Sequence, residues 1–93
     1  MAKTLNHEYL MNEGESHFEN QDLNLYNKEI ESIDVDAFLI FNHFKGLYLY
    51  DNKIRSIQPF TFSRFNDLSK LSLSKNKLEK IEANTFSFFK SLE

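Results

Sequence analysis

The sequence predicts an α/β chain of stacked coils whose strands lie parallel and side by side. Three observations carry this expectation. The first is a 24-residue repeat, present three times and marked by Leu25, Leu49 and Leu73. Around these, Leu23/Leu47/Leu71, Ile30/Ile54/Leu78, Ile33/Ile57/Ile81, Phe38/Phe62/Phe86, Phe41/Phe65/Phe89 and Phe44/Leu68/Leu92 form matching columns, all apolar. At 41% apolar content, chance would fill every slot roughly once in 10⁸ trials, so the period belongs to the architecture. The second is alternation within each copy. In Leu47-Tyr48-Leu49-Tyr50 the leucines point one way and the tyrosines the other, which is the period of a strand with one buried face. The third is length: no segment is long enough to bury its own apolar side, whereas stacked copies cover one another.

Along the chain, residues 1–21 do not fit the repeat and form an acidic lead-in or an improvised N-terminal cap. Leu5, Tyr9 and Leu10 offer an apolar patch there, and Phe18 can cover the open edge of the first coil. Residues 22–93 divide into copies at 22–45, 46–69 and 70–93. In the second copy, Asp51-Asn52-Lys53 ends the strand with turn chemistry. Ile54 and Ile57, then Phe62, Phe65 and Leu68, recur at threes and suit a curved return path containing a helical turn or two. The phenylalanine columns are expected to stack as an internal spine. At the far end Leu92 matches Leu68 and Phe44, so Ser91-Leu92-Glu93 reads as the opening of a fourth copy. The expectation is a fragment truncated before further repeats; the alternative is a complete unit that covers this edge by self-association.

The segment Phe44 to Ile54 fits the pattern L-x-x-L-x-L-x-x-N-x-L with Phe in the first slot, and Leu68 to Leu78 fits it throughout. Over about residues 22–93 the chain thereby resembles the leucine-rich repeat family, and its 24-residue length is similar to the subclass common in extracellular receptors and matrix proteins. The resemblance implies a right-handed, curved solenoid with a concave parallel sheet and short helical or irregular segments on the convex side. It also implies that Asn52 and Asn76 bond to backbone groups in the turn leaving each strand. The first copy departs from the pattern: Lys28 occupies that slot, and a looser or shifted turn is expected after Leu25.

Composition narrows the function. The absence of cysteine removes disulfides and Cys-based metal sites. No apolar run approaches the roughly 20 residues of a membrane span, and Met1 to Asn20 lack the basic start and apolar stretch of a secretory signal. There is no Asn-x-Ser/Thr sequon. These absences lean cytosolic while the resemblance leans extracellular, so the compartment stays open. Net charge is −3, concentrated in residues 1–22, where five acids face Lys3 alone (−4); the other ten basic and nine acidic side chains leave +1. With no basic stripe, nucleic acid is not an expected partner.

Catalysis finds no support. His7, His17 and His43 share no metal-ligand spacing, no serine sits in a glycine-framed nucleophile turn, and Gly14 and Gly46 cannot form a phosphate loop. No catalytic residue, cofactor or metal is therefore assigned. The expected function is protein–protein recognition on the concave face that the resemblance implies. There the outward residues are Asn24, Tyr26 and Asn27 from the first strand, Tyr48, Tyr50 and Asp51 from the second, and Ser72, Ser74 and Lys75 from the third. Tyrosine offers large contact area at low entropic cost, although it also simply suits an exposed strand. Alternatives are a self-associating structural unit using the uncapped C-terminal coil, or the targeting arm of a larger receptor or enzyme. Ile40, Arg64 and Phe88 share an outward slot, and Ile40 with Phe88 is a candidate second contact ridge.

Overall fold

The computed structural model describes residues 3–40, 42–58, 60–63, 65 and 68–81. Among these residues the main sheet has four strands in the order β2-β3-β5-β7, where β2 is Phe18–Glu19. Strands β3 (Asp22–Asn24), β5 (Gly46–Tyr48) and β7 (Lys70–Ser72) each open one copy. They pair in parallel at an offset of one repeat: Leu23 meets Leu47 and Leu47 meets Leu71. The ladder runs on past the strands through Leu25 N–H to Tyr48 O (2.8 Å), Leu49 N–H to Ser72 O (2.9 Å) and Asp51 N–H to Ser74 O (3.0 Å). Leu23, Leu25, Leu47 and Leu49 are fully buried on one side of this sheet. Alternation therefore sets the register, because a slip of one residue would turn these leucines into water.

A second track follows each turn. Strands β4 (Ile30–Ile33), β6 (Ser56–Ile57) and β8 (Lys80–Ile81) lie in two small parallel sheets, β1-β4 and β6-β8, where β1 is Lys3–Leu5. Ile30 and Ile33 thus lie within strand β4, and Ile57 lies within β6 with Ile54 just before it. Among the described residues, helical character in the return path takes the form of i to i+3 turns, such as Ala37 N–H to Asp34 O (3.0 Å) and Thr61 N–H to Gln58 O (3.1 Å). Between the two tracks lies the core, where Phe38 packs against Phe62, Phe65 and Phe44 with centroids 6.2, 4.9 and 6.1 Å away. These are separations at which aromatic pairs attract beyond their area burial. Phe41, Phe86, Phe89 and Leu92, expected in the same spine, lie outside the described residues, as do Ser91 and Glu93.

The first copy meets residues 3–19 along both tracks. Strand β1 pairs in parallel with β4, and β2 (Phe18–Glu19) pairs antiparallel with β3. Between them run helix α1 (His7–Glu13) and a 3₁₀ helix (Gly14–His17). The Asn6 side chain caps α1 by accepting from Tyr9 N–H at 2.8 Å, satisfying a donor that the helix leaves free. Leu5 and Leu10 are buried in the core, and Tyr9 and Phe18 pack against it. The β2–β3 hairpin turns at Asn20 and Gln21, both at positive φ (54° and 68°), the backbone that two-residue hairpin loops require.

Asn52 and Asn76 tie the coils together. The Asn52 amide Nδ2 donates to Leu25 O, Leu49 O and Tyr50 O, while Oδ1 accepts from Lys28 N–H (2.9 Å) and Ile30 N–H (3.0 Å). Asn76 repeats this one coil on, reaching Leu49 O, Leu73 O, Ser74 O and Ile54 N–H. Each amide therefore serves its own turn and the turn of the preceding copy. Lys28 is tolerated because Asn52 supplies the first turn from the following copy. The departure shows in the backbone: Glu29 takes φ 59°, whereas the equivalent Lys53 and Lys77 are not at positive φ.

Among the described residues two buried side-chain atoms, His7 Nδ1 and Thr61 Oγ1, have no hydrogen-bond partner. Thr61 is fully buried and its Oγ1 has no hydrogen-bond partner; the equivalent slot in the first copy holds the fully buried Ala37. Replacing Thr61 with valine removes an unsatisfied hydroxyl and should raise stability by about 1 kcal/mol, read as a higher urea midpoint at unchanged slope. A lower midpoint would mean that the hydroxyl is bonded.

Candidate functional site

The sheet face opposite the leucines carries the residues singled out for recognition. Asn24 is paired with Tyr48 and Tyr48 with Ser72, giving one column. Two residues further on, Tyr26, Tyr50 and Ser74 give the next. The Tyr26 and Tyr50 rings are stacked, with centroids 5.0 Å apart and planes 1° from parallel. Parallel strands lie about 4.8 Å apart, so the stack follows from the spacing of the sheet. Tyr48, Tyr50, Asn24 and Ser72 are half-buried, whereas Tyr26 and Ser74 are exposed.

Asn27, Asp51 and Lys75 form the margin of this face, and the backbone gives them a second role. Their φ values are 52°, 60° and 56°, the left-handed conformation that turns the chain out of each strand. Asn and Asp enter this region more readily than other non-glycine residues, which accounts for Asn27 and Asp51 without reference to a ligand. Lys75 has no such propensity.

A third column was not among the expected residues. Asp22, Gly46 and Lys70 stand in register at the start of the three strands, on the same face as the tyrosines. A Cβ at Gly46 would overlap the Asp22 carboxylate and lie 3.2 Å from Tyr48 Cε2. Glycine here lets the Asp22 carboxylate lie over the strand. Stepping the alternation back by two residues from Asn24, Tyr48 and Ser72 would have found this column.

Beyond Tyr26 the face ends in a cavity of about 450 Å³ lined by Ser16, His17, Phe18, Glu19, Asn24, Tyr26, Asn27 and Lys28. Burial, then the Lys28 ammonium, holds the His17 imidazole below its ordinary pKa, with Glu13 opposing. Behind it Tyr9 is pushed up by burial and by Glu13, and Lys3 Nζ lies 5.1 Å from its ring centroid. Among the described residues no group of three His, Asp or Glu side chains is arranged to hold a metal ion, and no helix is long and apolar enough to cross a membrane. Of the candidate second ridge, Ile40 is exposed; Arg64 and Phe88 lie outside the described residues.

Comparison with curated proteins and with solved structures returned no match. The family model for the leucine rich repeat matches residues 42–93, more than half of the chain. That span holds strands β5 and β7 and both turn asparagines, Asn52 and Asn76. With the parallel strands one repeat apart and these amides bridging successive turns, the chain belongs to the leucine-rich repeat family.

Proposed function

We propose that the chain is a non-catalytic recognition module whose protein partner rests on the tyrosine-bearing sheet face. Leucine-rich repeat domains generally mediate protein–protein interaction and are typically non-catalytic binding modules. We read the sheet face as the concave side of a right-handed solenoid of 24-residue repeats, at 22–45, 46–69 and 70–93. Residues 1–21 are read as its N-terminal cap, supported by β1 and β2 lying on the edges of β4 and β3 and by the burial of Leu5 and Leu10. The contact residues are Asn24, Tyr26, Asn27, Tyr48, Tyr50, Asp51, Ser72, Ser74 and Lys75.

The observation that carries this reading is the in-register Tyr26–Tyr50 stack beside half-buried Tyr48. Pre-stacked rings give contact area with little side-chain freedom left to lose on binding. The test uses a photocrosslinker at Ser72 to identify a partner, followed by titration with variants. Tyr48→Ala and Tyr50→Ala should each weaken binding by at least about 1 kcal/mol, roughly fivefold. Unchanged affinity in both, with loss on Gln58→Ala in the return path, would move the site off the sheet.

A further inference from the structure

The cavity beyond Tyr26 has a specific shape, set by where β2 stops. Strand β2 pairs with β3 through Phe18 to Leu23 and Glu19 to Asp22. Continuing that register would put Glu15 opposite Tyr26, but Glu15 lies in the 3₁₀ helix Gly14–His17. The chain has therefore left the sheet one strand position away from Tyr26. On its other side Tyr26 is stacked on Tyr50. Tyr26 stands between Tyr50 and the cavity and is 46% exposed.

We propose that this cavity is a subsite for one aromatic side chain of the protein partner, which inserts as a third ring on the Tyr50–Tyr26 stack. The proposal rests on the reading of the sheet face as a protein-binding surface and names the residue class that its N-terminal end selects. A strand continuing β2 would lie about 4.8 Å from β3, a spacing that matches the 5.0 Å of the existing pair. The volume lies within the range of small-ligand sites, about 300–1,000 Å³. Asn24 and Asn27 line the cavity, and their side chains carry amides able to bond to a phenol or to the peptide carrying the ring. A guanidinium also stacks on tyrosine, but Lys28 lines the same cavity and its charge is felt at His17, so a second cation is disfavoured despite Glu19. An aliphatic side chain would forgo the stacking.

The test is an NMR titration of the whole chain with N-acetyl-tyrosinamide, N-acetyl-leucinamide and N-acetyl-argininamide. Only the tyrosine derivative should shift the Asn24 and Asn27 side-chain amides and the Tyr26 ring protons, saturating in the millimolar range. Tyr26→Phe should keep this binding, and Tyr26→Leu should weaken it at least about threefold with the fold intact by amide dispersion. No saturable shift, an equal response to leucinamide, a stronger one to argininamide, or full binding by Tyr26→Leu would each overturn the subsite. Because the probe needs no partner, its failure is distinct from failure of the sheet-face reading, which the Tyr48→Ala titration reports.

Discussion

Asn52→Ala should remove most of the stability of this chain. Asn52 is 6% exposed, and its amide holds backbone groups in two successive turns. Leu49 O keeps a bond from Asn76 after the substitution, and the half-buried Lys28 N–H can turn to water. Ile30 N–H and Leu25 O cannot, because both bonds are buried. Each orphaned group costs about 1–3 kcal/mol, and the truncation adds a cavity, so a loss of roughly 3–5 kcal/mol is expected. A domain of this length has only about 5–14 kcal/mol in all. Asn52→Asp should be equally damaging: the carboxylate can still accept from the two N–H groups, but it turns an oxygen toward three carbonyls. Asn76→Ala, at a half-buried site, should lose clearly less. Urea unfolding followed by circular dichroism decides the matter; a loss below about 1 kcal/mol for Asn52→Ala would mean that water replaces the amide and that the coils are held by packing alone.

The second large effect is expected at Phe38. It is fully buried and touches rings from two copies: Phe44 in its own, Phe62 and Phe65 in the next. Truncation to alanine should cost about 3–5 kcal/mol, since the surrounding rings cannot collapse into the space without leaving their own coils. Phe38→Leu should lose distinctly less. Because these contacts cross between copies, native-state hydrogen exchange should show the amides around Leu25 and Leu49 opening together in the wild type. If Phe38→Ala speeds exchange only in the first copy, the spine does not couple the coils.

The stacking of the copies was legible because it is written redundantly. Three leucines per column, alternating with Asn24, Tyr48 and Ser72, leave one register in which all the apolar residues are covered. The family and its turn asparagines followed from the same segments. The N-terminal region carried no such redundancy. Leu5, Leu10 and Phe18 occur once each, and nothing in their spacing announces that β1 and β2 lie on two different sheets. The return path contains the i to i+3 turns that its spacing suggests, but the short strand at Ile57 is not visible there, because its parallel partner, β8, lies one copy away in sequence. In the candidate site, the tyrosine columns could be read from alternation, whereas Asp22, Gly46 and Lys70 were missed because the strand was counted from its first leucine. The left-handed turn at Lys75 is visible only by analogy with Asn27 and Asp51, since lysine itself signals nothing.

The reach of each asparagine into the copy before it gives the array a direction. A copy whose slot holds lysine can stand only at the front, because any copy placed ahead of it would find its turn carbonyl and N–H groups unanswered. Duplicating residues 46–69 would lengthen the array with every turn served, while duplicating residues 22–45 would insert a break. The heritable unit of growth is thus any copy except the first, and the order of the copies is chemically constrained even though their lengths and apolar patterns are interchangeable.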